Sequence, residues 1–332
     1  MTYQLPSVHV LYENPAWLPP LVDALRQEGF TDINLVALSE GLIDPNQPPA
    51  EGIWINRISP SSHTRGNHNT VQLGREVLYW LELYGRRVIN GSKAFEFEMS
   101  KLRQDLILRK YGIATPKTIL AVGREQLVSA AKEFVGPFIT KHNQGGKGLG
   151  IKLFNTVAEF EQYIDSDEFD RGPDGKIILQ QYIKPARNVI TRVELVGDRF
   201  VLAMHSSTED GFELCPSDAC QLEALEQKQA GPDVCPIDGG AKFSPAEITE
   251  FDPLVQKYLR MMQGEGIDLA GIEYVEDESG MRYTYDINGT TNYNNQLGDQ
   301  IGVHGMTEVA KYIKQQIQQA DATSYEALRS CG

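Results

Sequence analysis

Two stretches of the sequence carry residue types that could do chemistry together. The first is Lys141-His-Asn-Gln-Gly-Gly-Lys-Gly-Leu-Gly150, where Gly145, Gly146, Gly148 and Gly150 crowd into one turn. Glycines at that density let a backbone approach a ligand with little but amide hydrogens, and consecutive amides favour phosphate oxygens. Lys141 and Lys147 add the cations that phosphate charge requires. The second is the pair Gly271-Ile-Glu273 and Tyr285-Asp-Ile-Asn288. Asp286 and Asn288 are two residues apart, so on a strand they face the same side, and Glu273 joins them if the two strands pair. Two carboxylates and an amide are oxygen donors that suit magnesium, which keeps waters and bridges substrate phosphates.

Each stretch has a bland reading: a flexible hairpin tip for the glycines, a surface acidic pair for the carboxylates. The flanking lysines weigh against the first. Against the second, Asp-x-Asn closes an apolar strand and runs into the hydrated loop Gly289-Thr-Thr-Asn-Tyr-Asn294. Two familiar nucleotide motifs fail. A P-loop needs Ser or Thr after its lysine, and Lys147 is followed by Gly148. A dinucleotide fingerprint opens a helix, and here a strand follows. A third stretch, the polar loop Ser59-Pro-Ser-Ser-His-Thr-Arg-Gly-Asn-His-Asn69, brings His63 and Arg65 close to Arg57, which together could bind an anion.

The elements that must position these residues can be read from periodicity and punctuation. Val8–Tyr12, Ile33–Ala37, Gly52–Asn56 and Arg87–Ile89 are short apolar strands, separated by helical patterns over Pro19–Gln27 and Thr70–Tyr84. That alternation predicts a small open α/β unit with a parallel sheet. A helix is expected from about Ala94 to Tyr111, closed by Gly112, then a strand over Thr115–Ala121 and a helix over Glu125–Phe134. Phe138–His142 and Ile151–Phe154 read as strands on either side of the glycine loop, followed by a short helix over Val157–Ile164 and a strong strand over Ile177–Ile183. The last third predicts strands at Val189–Leu195, Phe200–His205, Ala270–Val275 and Arg282–Ile287, with helices over Pro245–Gly264 and Gly305–Ala320. The polar segment Thr208–Lys242 is too long for an ordinary connection and is expected to fold over a site. No internal repeat or low-complexity tract appears.

Composition narrows the classes. At roughly 100–200 residues per domain, 332 residues suggest two or three lobes. The formal net charge of -14 and pI of about 4.9 repel nucleic-acid phosphates and anionic membrane surfaces, so neither is an expected partner. No apolar run is long enough to span a bilayer, and the N-terminus lacks a signal-peptide pattern, which predicts a cytoplasmic protein. Cys215, Cys220, Cys235 and Cys331 match no zinc spacing and read as reduced thiols. The sharper alternative has Cys215 and Cys220 lining a substrate loop.

From about Asn90 to Gln318 the chain resembles the ATP-grasp superfamily, and within it the RimK-type amino-acid ligases and their glutathione-synthetase relatives. Met99-Ser-Lys-Leu102 looks like the helix that carries the first phosphate lysine, here Lys101. Gly112-Ile-Ala-Thr-Pro-Lys-Thr118 resembles the entry strand, and Phe138-Ile-Thr-Lys141 supplies the second phosphate lysine. Gln144–Gly150 matches the flexible loop over the phosphates, and Ile178-Leu-Gln-Gln-Tyr-Ile183 the hinge whose backbone reads adenine. Arg192 matches the arginine that meets the phosphates or the acyl phosphate.

The resemblance implies an α/β (α+β) ATP-grasp fold with an N-terminal pre-ATP-grasp domain over 1–92, a central lobe over 93–183 and a C-terminal lobe with the magnesium site over 184–332. It implies ATP bound by Lys101, Lys141, Gln144, Gly145, Gly146, Lys147, Gly148, Gln180, Gln181, Tyr182 and Ile183. Mg2+ or Mn2+ would be held by Glu273, Asp286 and Asn288. Arg192 and Lys141 would be catalytic, and Arg57, His63, Arg65, His205 and Asn292 would hold substrate. The implied activity is carboxylate–amine ligation through an acyl phosphate, on an amino acid or small peptide. Related ligases commonly associate as dimers or tetramers, so a homo-oligomer is compatible with it.

The sequence also departs from the family pattern. Gln181 stands where many relatives have glutamate, Ile190 where an acidic residue is usual, and Phe212–Cys220 where an arginine and an asparagine often occur. Gly289–Asn294 replaces a Ser-Pro-Gly turn. A small-molecule kinase and a non-catalytic nucleotide-binding protein are the rival readings on the same fold. An oxidoreductase is disfavoured by the missing dinucleotide fingerprint.

Overall fold

A computed structural model describes residues 5–146, 148, 150–208 and 243–330, with side chains to residue 319. Lys147, the four cysteines and the polar segment expected over the site, apart from Thr208, lie outside the described residues.

Three sheets organise the chain. The first is built from β1 (Val8–Tyr12), β2 (Ile33–Ala37), β3 (Ile53–Arg57) and β4 (Arg87–Ile89), in the order β2-β1-β3-β4, with every pairing parallel. Parallel strands need covered crossovers. These are supplied by α1 (Pro19–Gln27), which buries Leu21, Val22, Ala24 and Leu25, and by α2 (Thr70–Leu83). β1 and β3 are buried almost throughout, as strands covered on both faces are.

The predicted helix over Ala94–Tyr111 is two helices, α3 (Ser92–Glu98) and α4 (Lys101–Lys110). The break has a local cause. The Ser100 hydroxyl accepts the Arg103 amide hydrogen at 3.3 Å, an N-cap that starts a new helix. Asn143, from the base of the glycine loop, adds to that cap: its carbonyl accepts from Lys101 N at 3.0 Å and its Oδ1 from Leu102 N at 3.2 Å. Lys101 is thereby fixed at the first turn of α4, beside the loop.

The second sheet holds β5 (Thr118–Ala121), β6 (Phe138–His142), β7 (Lys152–Phe154) and β8 (Ile177–Gln181) in the antiparallel order β5-β8-β6-β7. α5 (Arg124–Ala131) and α6 (Val157–Ile164) cover one face, over a core of Phe138, Phe154, Phe160, Leu127 and Leu179.

The third sheet is antiparallel in the order β11-β10-β9-β12-β13, with β9 (Val189–Val196), β10 (Arg199–Ser207), β11 (Phe243–Pro245), β12 (Leu269–Glu276) and β13 (Arg282–Asn288). α7 (Pro253–Glu265) starts later than the expected Pro245, at an N-cap formed by Asp252 with Leu254 N at 2.8 Å. It buries Val255, Tyr258, Met261 and Met262 against Val193, Leu195, Ala270 and Ile272. A short helix that the sequence did not suggest, α8 (Asn295–Ile301), precedes the last one, α9 (Gly305–Ser330). α9 packs on α1: Val309, Ala310 and Ile313 share one core with Leu21, Leu25, Val196 and Met204. The first and third sheets are therefore joined through continuous apolar packing.

Among the described residues, no helix is long and apolar enough to cross a membrane.

Candidate active site

Strand register writes the centre of the site. β12 lies between β9 and β13, so one residue on it has two cross-strand neighbours. Glu273 is opposite Arg192 on one side and opposite Asp286 on the other. Two residues along, Gly271 is opposite both Glu194 and Asn288. Two parallel rows, Arg192–Glu273–Asp286 and Glu194–Gly271–Asn288, thus occupy one face, because side chains two apart on a strand share a side. The register slips between Glu273 and Tyr274, a β-bulge that leaves Tyr285 as an extra residue. Bulges re-aim side chains, and here consecutive residues Tyr285 and Asp286 both reach the cleft.

Arg192 is enclosed and fully engaged. Nε donates to Glu194 Oε1 at 2.6 Å, Nη1 to Glu273 Oε1 at 2.7 Å, and Nη2 to Thr291 Oγ1 at 2.8 Å. Burial opposes its charge, but the two carboxylates outweigh that and raise the guanidinium above its ordinary value. Burial pushes Glu194 up, against the pull of Arg192. Tyr285 donates its hydroxyl to Glu273 Oε2 at 3.1 Å.

The lysines come from the facing side. Lys101 Nζ is paired with Asp286 Oδ1, and Lys141 Nζ donates to the Tyr285 carbonyl at 3.2 Å. Burial lowers Lys101 to about 8. Burial, then the neighbouring Lys101 charge, lowers Lys141 to about 7. Two ammonium groups held out of water beside one another are poised to gain from an arriving polyanion.

These groups line a cleft of about 370 Å³ between the second and third sheets. Gly145, Gly146 and Gly148 border it, as do Gln180, Gln181, Tyr182 and Ile183 with the apolar side chains Ile139, Ile190 and Val275. Gly148 and Gly150 take left-handed backbone, at φ 74° and 76°. A Cβ on Gly150 would stand 2.7 Å from the His142 ring, so only glycine lets the loop fold onto that histidine. Gln181 accepts the Lys117 amide through Oε1 at 3.3 Å, and Gln180 donates to Thr118 at 2.9 Å.

Other residues suggested by the sequence lie elsewhere. Arg57 is buried and gives Nη1 to the Thr291 carbonyl at 2.8 Å and Nη2 to Asn292 Oδ1. Arg65 forks onto Glu13, with Nε to Oε2 at 3.1 Å. His63 and Gln144 open onto a second, adjacent cleft with Arg75, Arg103 and Lys176. His205 faces Thr191, with 3.0 Å between Nδ1 and Oγ1. Asn292 alone of the five expected substrate contacts lines the main cleft. Trp17, Ser59, Ser61, Glu98, Tyr285 and Thr290 also line it, and sequence reasoning did not assign them there. The Glu98 carboxylate, raised by burial, accepts from Thr290 N at 2.9 Å and from its hydroxyl at 2.5 Å.

The cleft suits a phosphate-bearing ligand with a divalent cation. Glu273, Asp286 and Asn288 converge as hard oxygen donors, and the two carboxylates already draw Arg192 and Lys101, which marks a place that needs positive charge. Among the described residues no group of three or more His, Cys, Asp or Glu is placed so that it could by itself hold a metal ion. Two carboxylates plus an amide is the sparse set that magnesium uses when phosphates and waters complete its shell.

Comparison with known proteins agrees with this geometry. Residues 99–214 match the model of the RimK-like ATP-grasp domain. A probable alpha-L-glutamate ligase of Citrobacter koseri is 32% identical over 209 residues, 62% of this chain and 61% of that protein. The ribosomal protein bS6–L-glutamate ligase of Shigella flexneri is 31% identical over 141 residues, 42% of this chain and 46% of that protein. The chain thus spans between 46% and 61% of the length of these curated relatives. Among solved structures, a RimK domain ATP-grasp protein from Sphaerobacter thermophilus superposes with TM-score 0.64 at 13% identity, covering 92% of this chain and 98% of its own. The D-alanine–D-alanine ligase of Bacillus anthracis, solved with ATP, gives 0.63 at 11% identity, covering 96% and 100%. Residues 99–214 are thus similar to the RimK-like ATP-grasp domain, and the chain shares the fold of these ATP-grasp structures over nearly its whole length.

Proposed function

We propose that the protein is an ATP-dependent carboxylate–amine ligase that forms an amide bond through an acyl phosphate. The observation that carries this reading is the cross-strand row Arg192–Glu273–Asp286 facing Lys101 and Lys141 across one cleft. The wall of Ile139, Ile190 and Val275 beside Gln180–Ile183 offers an apolar slot for a nucleobase. Lys101, Lys141 and the amides around Gly145–Gly148 would meet the phosphates. Glu273, Asp286 and Asn288 would hold a magnesium ion, whose charge would offset that of the phosphates.

In this scheme an oxygen of the substrate carboxylate attacks the γ-phosphorus and ADP leaves. The amine then adds to the carbonyl carbon, loses a proton, and expels phosphate with the carboxylate oxygen. Arg192, held by Glu194 and Glu273, is placed to stabilise the negative charge that develops on the phosphoryl group and then on the tetrahedral carbon. Closing the glycine loop would keep water from the acyl phosphate. The reaction consumes ATP, which fits a cytosolic setting. The names of the relatives make L-glutamate the first amine to try.

The test is incubation with ATP, magnesium and pooled amino acids, with hydroxylamine in parallel, following phosphate release and product mass. Pool-dependent ADP and phosphate, with an amide or hydroxamate lost in Lys141→Ala and Glu273→Gln, is the expected result. A phosphorylated metabolite without hydroxamate would instead indicate a kinase.

A further inference from the structure

The end of β6 gathers segments that lie apart in sequence. His142, the last residue of that strand, is buried and lines the main cleft. The glycine loop rests against it. A Cβ on Gly150 would stand 2.7 Å from its Cε1 and 2.9 Å from Nε2, and one on Gly145 would stand 3.5 Å from its Cβ. The turn that leads into β8 meets the same ring: a Cβ on Gly172 would stand 2.6 Å from Cγ and 2.7 Å from Cδ2. Gly172, like Gly150, takes left-handed backbone, at φ 65°. Nε2 of His142 lies 3.3 Å from the Asp170 carbonyl oxygen and 3.3 Å from Asp170 Oδ2. A carbonyl oxygen can only accept, so Nε2 carries the hydrogen. Asp170 Oδ1 accepts from Gly172 N at 2.8 Å, which folds the turn onto itself beside the ring. The next residue, Asn143, holds the same turn through Nδ2, which donates to Asp174 Oδ2 at 2.9 Å.

We propose that His142 is a positioning residue for the glycine loop: its imidazole seats Gly145 and Gly150 at the end of the cleft that meets phosphate, and the Asp170–Gly172 turn fixes the imidazole. The proposal rests on the ATP site of the ligase reading above and adds a residue and a turn to it. Neither Gly150 nor Gly172 has room for a Cβ against the ring, so the three groups are packed as one unit and displacing one displaces the others. The hydrogen bond to Asp170 holds the ring's orientation, because turning the imidazole away would give that bond up. A loop already ordered by packing has less conformational freedom to lose when a ligand arrives, so its amides meet a polyphosphate at lower cost. Asp170 and Gly172 border the second cleft rather than the main one. Their reach into the main cleft therefore runs through the His142 ring.

The experiment is a double-mutant cycle of Gly172→Ala and His142→Ala in the full chain. It is read by hydrogen exchange of the glycine-loop amides and by calorimetric binding of ATP and of AMP, each with magnesium. Each single variant is expected to speed loop exchange and to weaken ATP by about threefold to tenfold, the scale on which residues in contact couple. AMP, which lacks the β- and γ-phosphates, should bind as it does to the wild type. With the ring removed by His142→Ala, adding Gly172→Ala should change ATP binding by less than about twofold. The strain of a left-handed alanine is common to both backgrounds and cancels in the cycle. If Gly172→Ala does not fold, Gly172→Asn carries the same Cβ on a residue that tolerates this backbone, and runs the same cycle. Equal losses from the change at Gly172 with and without the ring would overturn the proposal and leave the ligase reading standing. So would a folded His142→Ala protein with loop exchange or ATP binding unchanged, or AMP weakened as much as ATP. A wild-type protein that binds no ATP would overturn both.

Discussion

The guanidinium of Arg192 lies across the place where residue 271 would carry a side chain: a Cβ on Gly271 would stand 2.2 Å from Nη2 and 2.6 Å from Cζ. Gly271 is thus the gap in its row through which Arg192 reaches Glu273 and Thr291. Gly271→Ala should displace the guanidinium while leaving the lysines in place. On the ligase reading, kcat falls by roughly tenfold to a hundredfold, the scale on which small misplacements act, with the ATP dissociation constant nearly unchanged. Steady-state kinetics with calorimetric ATP binding checks both halves.

Glu194 is fully buried, does not line the cleft, and bonds two groups that do, Arg192 and Thr291. Glu194→Gln keeps the shape but removes one of the two carboxylates facing Arg192. It should destabilise the fold by about 1–3 kcal/mol, as expected for weakening a buried charged hydrogen bond, and lower kcat more than it raises KM. Denaturant unfolding and kinetics on the same preparation separate the two effects.

Lys141 gives the site a pH signature. Its folded-state pKa, lowered by burial to about 7, means the ammonium loses its proton as pH rises through neutrality. Phosphate favours the charged form, so ATP binding should take up a proton and weaken above about pH 7. Calorimetry in buffers of different ionisation heat, from pH 6 to 9, should show this uptake, and Lys141→Arg should reduce it to the share of Lys101, which titrates higher, at about 8. The linkage sign for stability follows from the same shift. Between about pH 7 and the ordinary lysine value the unfolded chain holds the proton that the folded one has released, so this group makes the empty protein more stable as pH rises.

The second sheet depends on an aromatic cluster. Phe160 is fully buried, edge-on to Phe138 and Phe154 at 5.5 and 5.2 Å. Phe160→Ala should cost about 3–5 kcal/mol. Hydrogen exchange should report the loss first in β6 and β8, while α7 and β12, packed in a separate core, keep their protection.

Much of the fold was legible because it rests on period and punctuation. The alternation Val8–Tyr12, Pro19–Gln27, Ile33–Ala37 predicts parallel strands, and the sheet is parallel. Asp286 and Asn288 share a face by simple alternation, and pairing with β12 brings Glu273 beside them. What stayed hidden depends on distant partners. Arg57 and Arg65 read as anion binders because nothing local shows that Thr291 and Glu13 occupy them. Tyr285 became visible only with the bulge, which a regular alternation would have turned away. Ser100 did carry a signal for the helix break, since Ser before a charged helical run is an N-cap pattern, but the longer apolar period over Ala94–Tyr111 masked it.

The central claim is that the substrate carboxylate becomes an acyl phosphate before the amine attacks. The direct measurement uses whichever carboxylic acid supports turnover in the pooled assay, labelled with 18O in both carboxylate oxygens, and reads the isotope in released phosphate. The account predicts one 18O in each phosphate for each amide formed. Unlabelled phosphate accompanying labelled amide would contradict it.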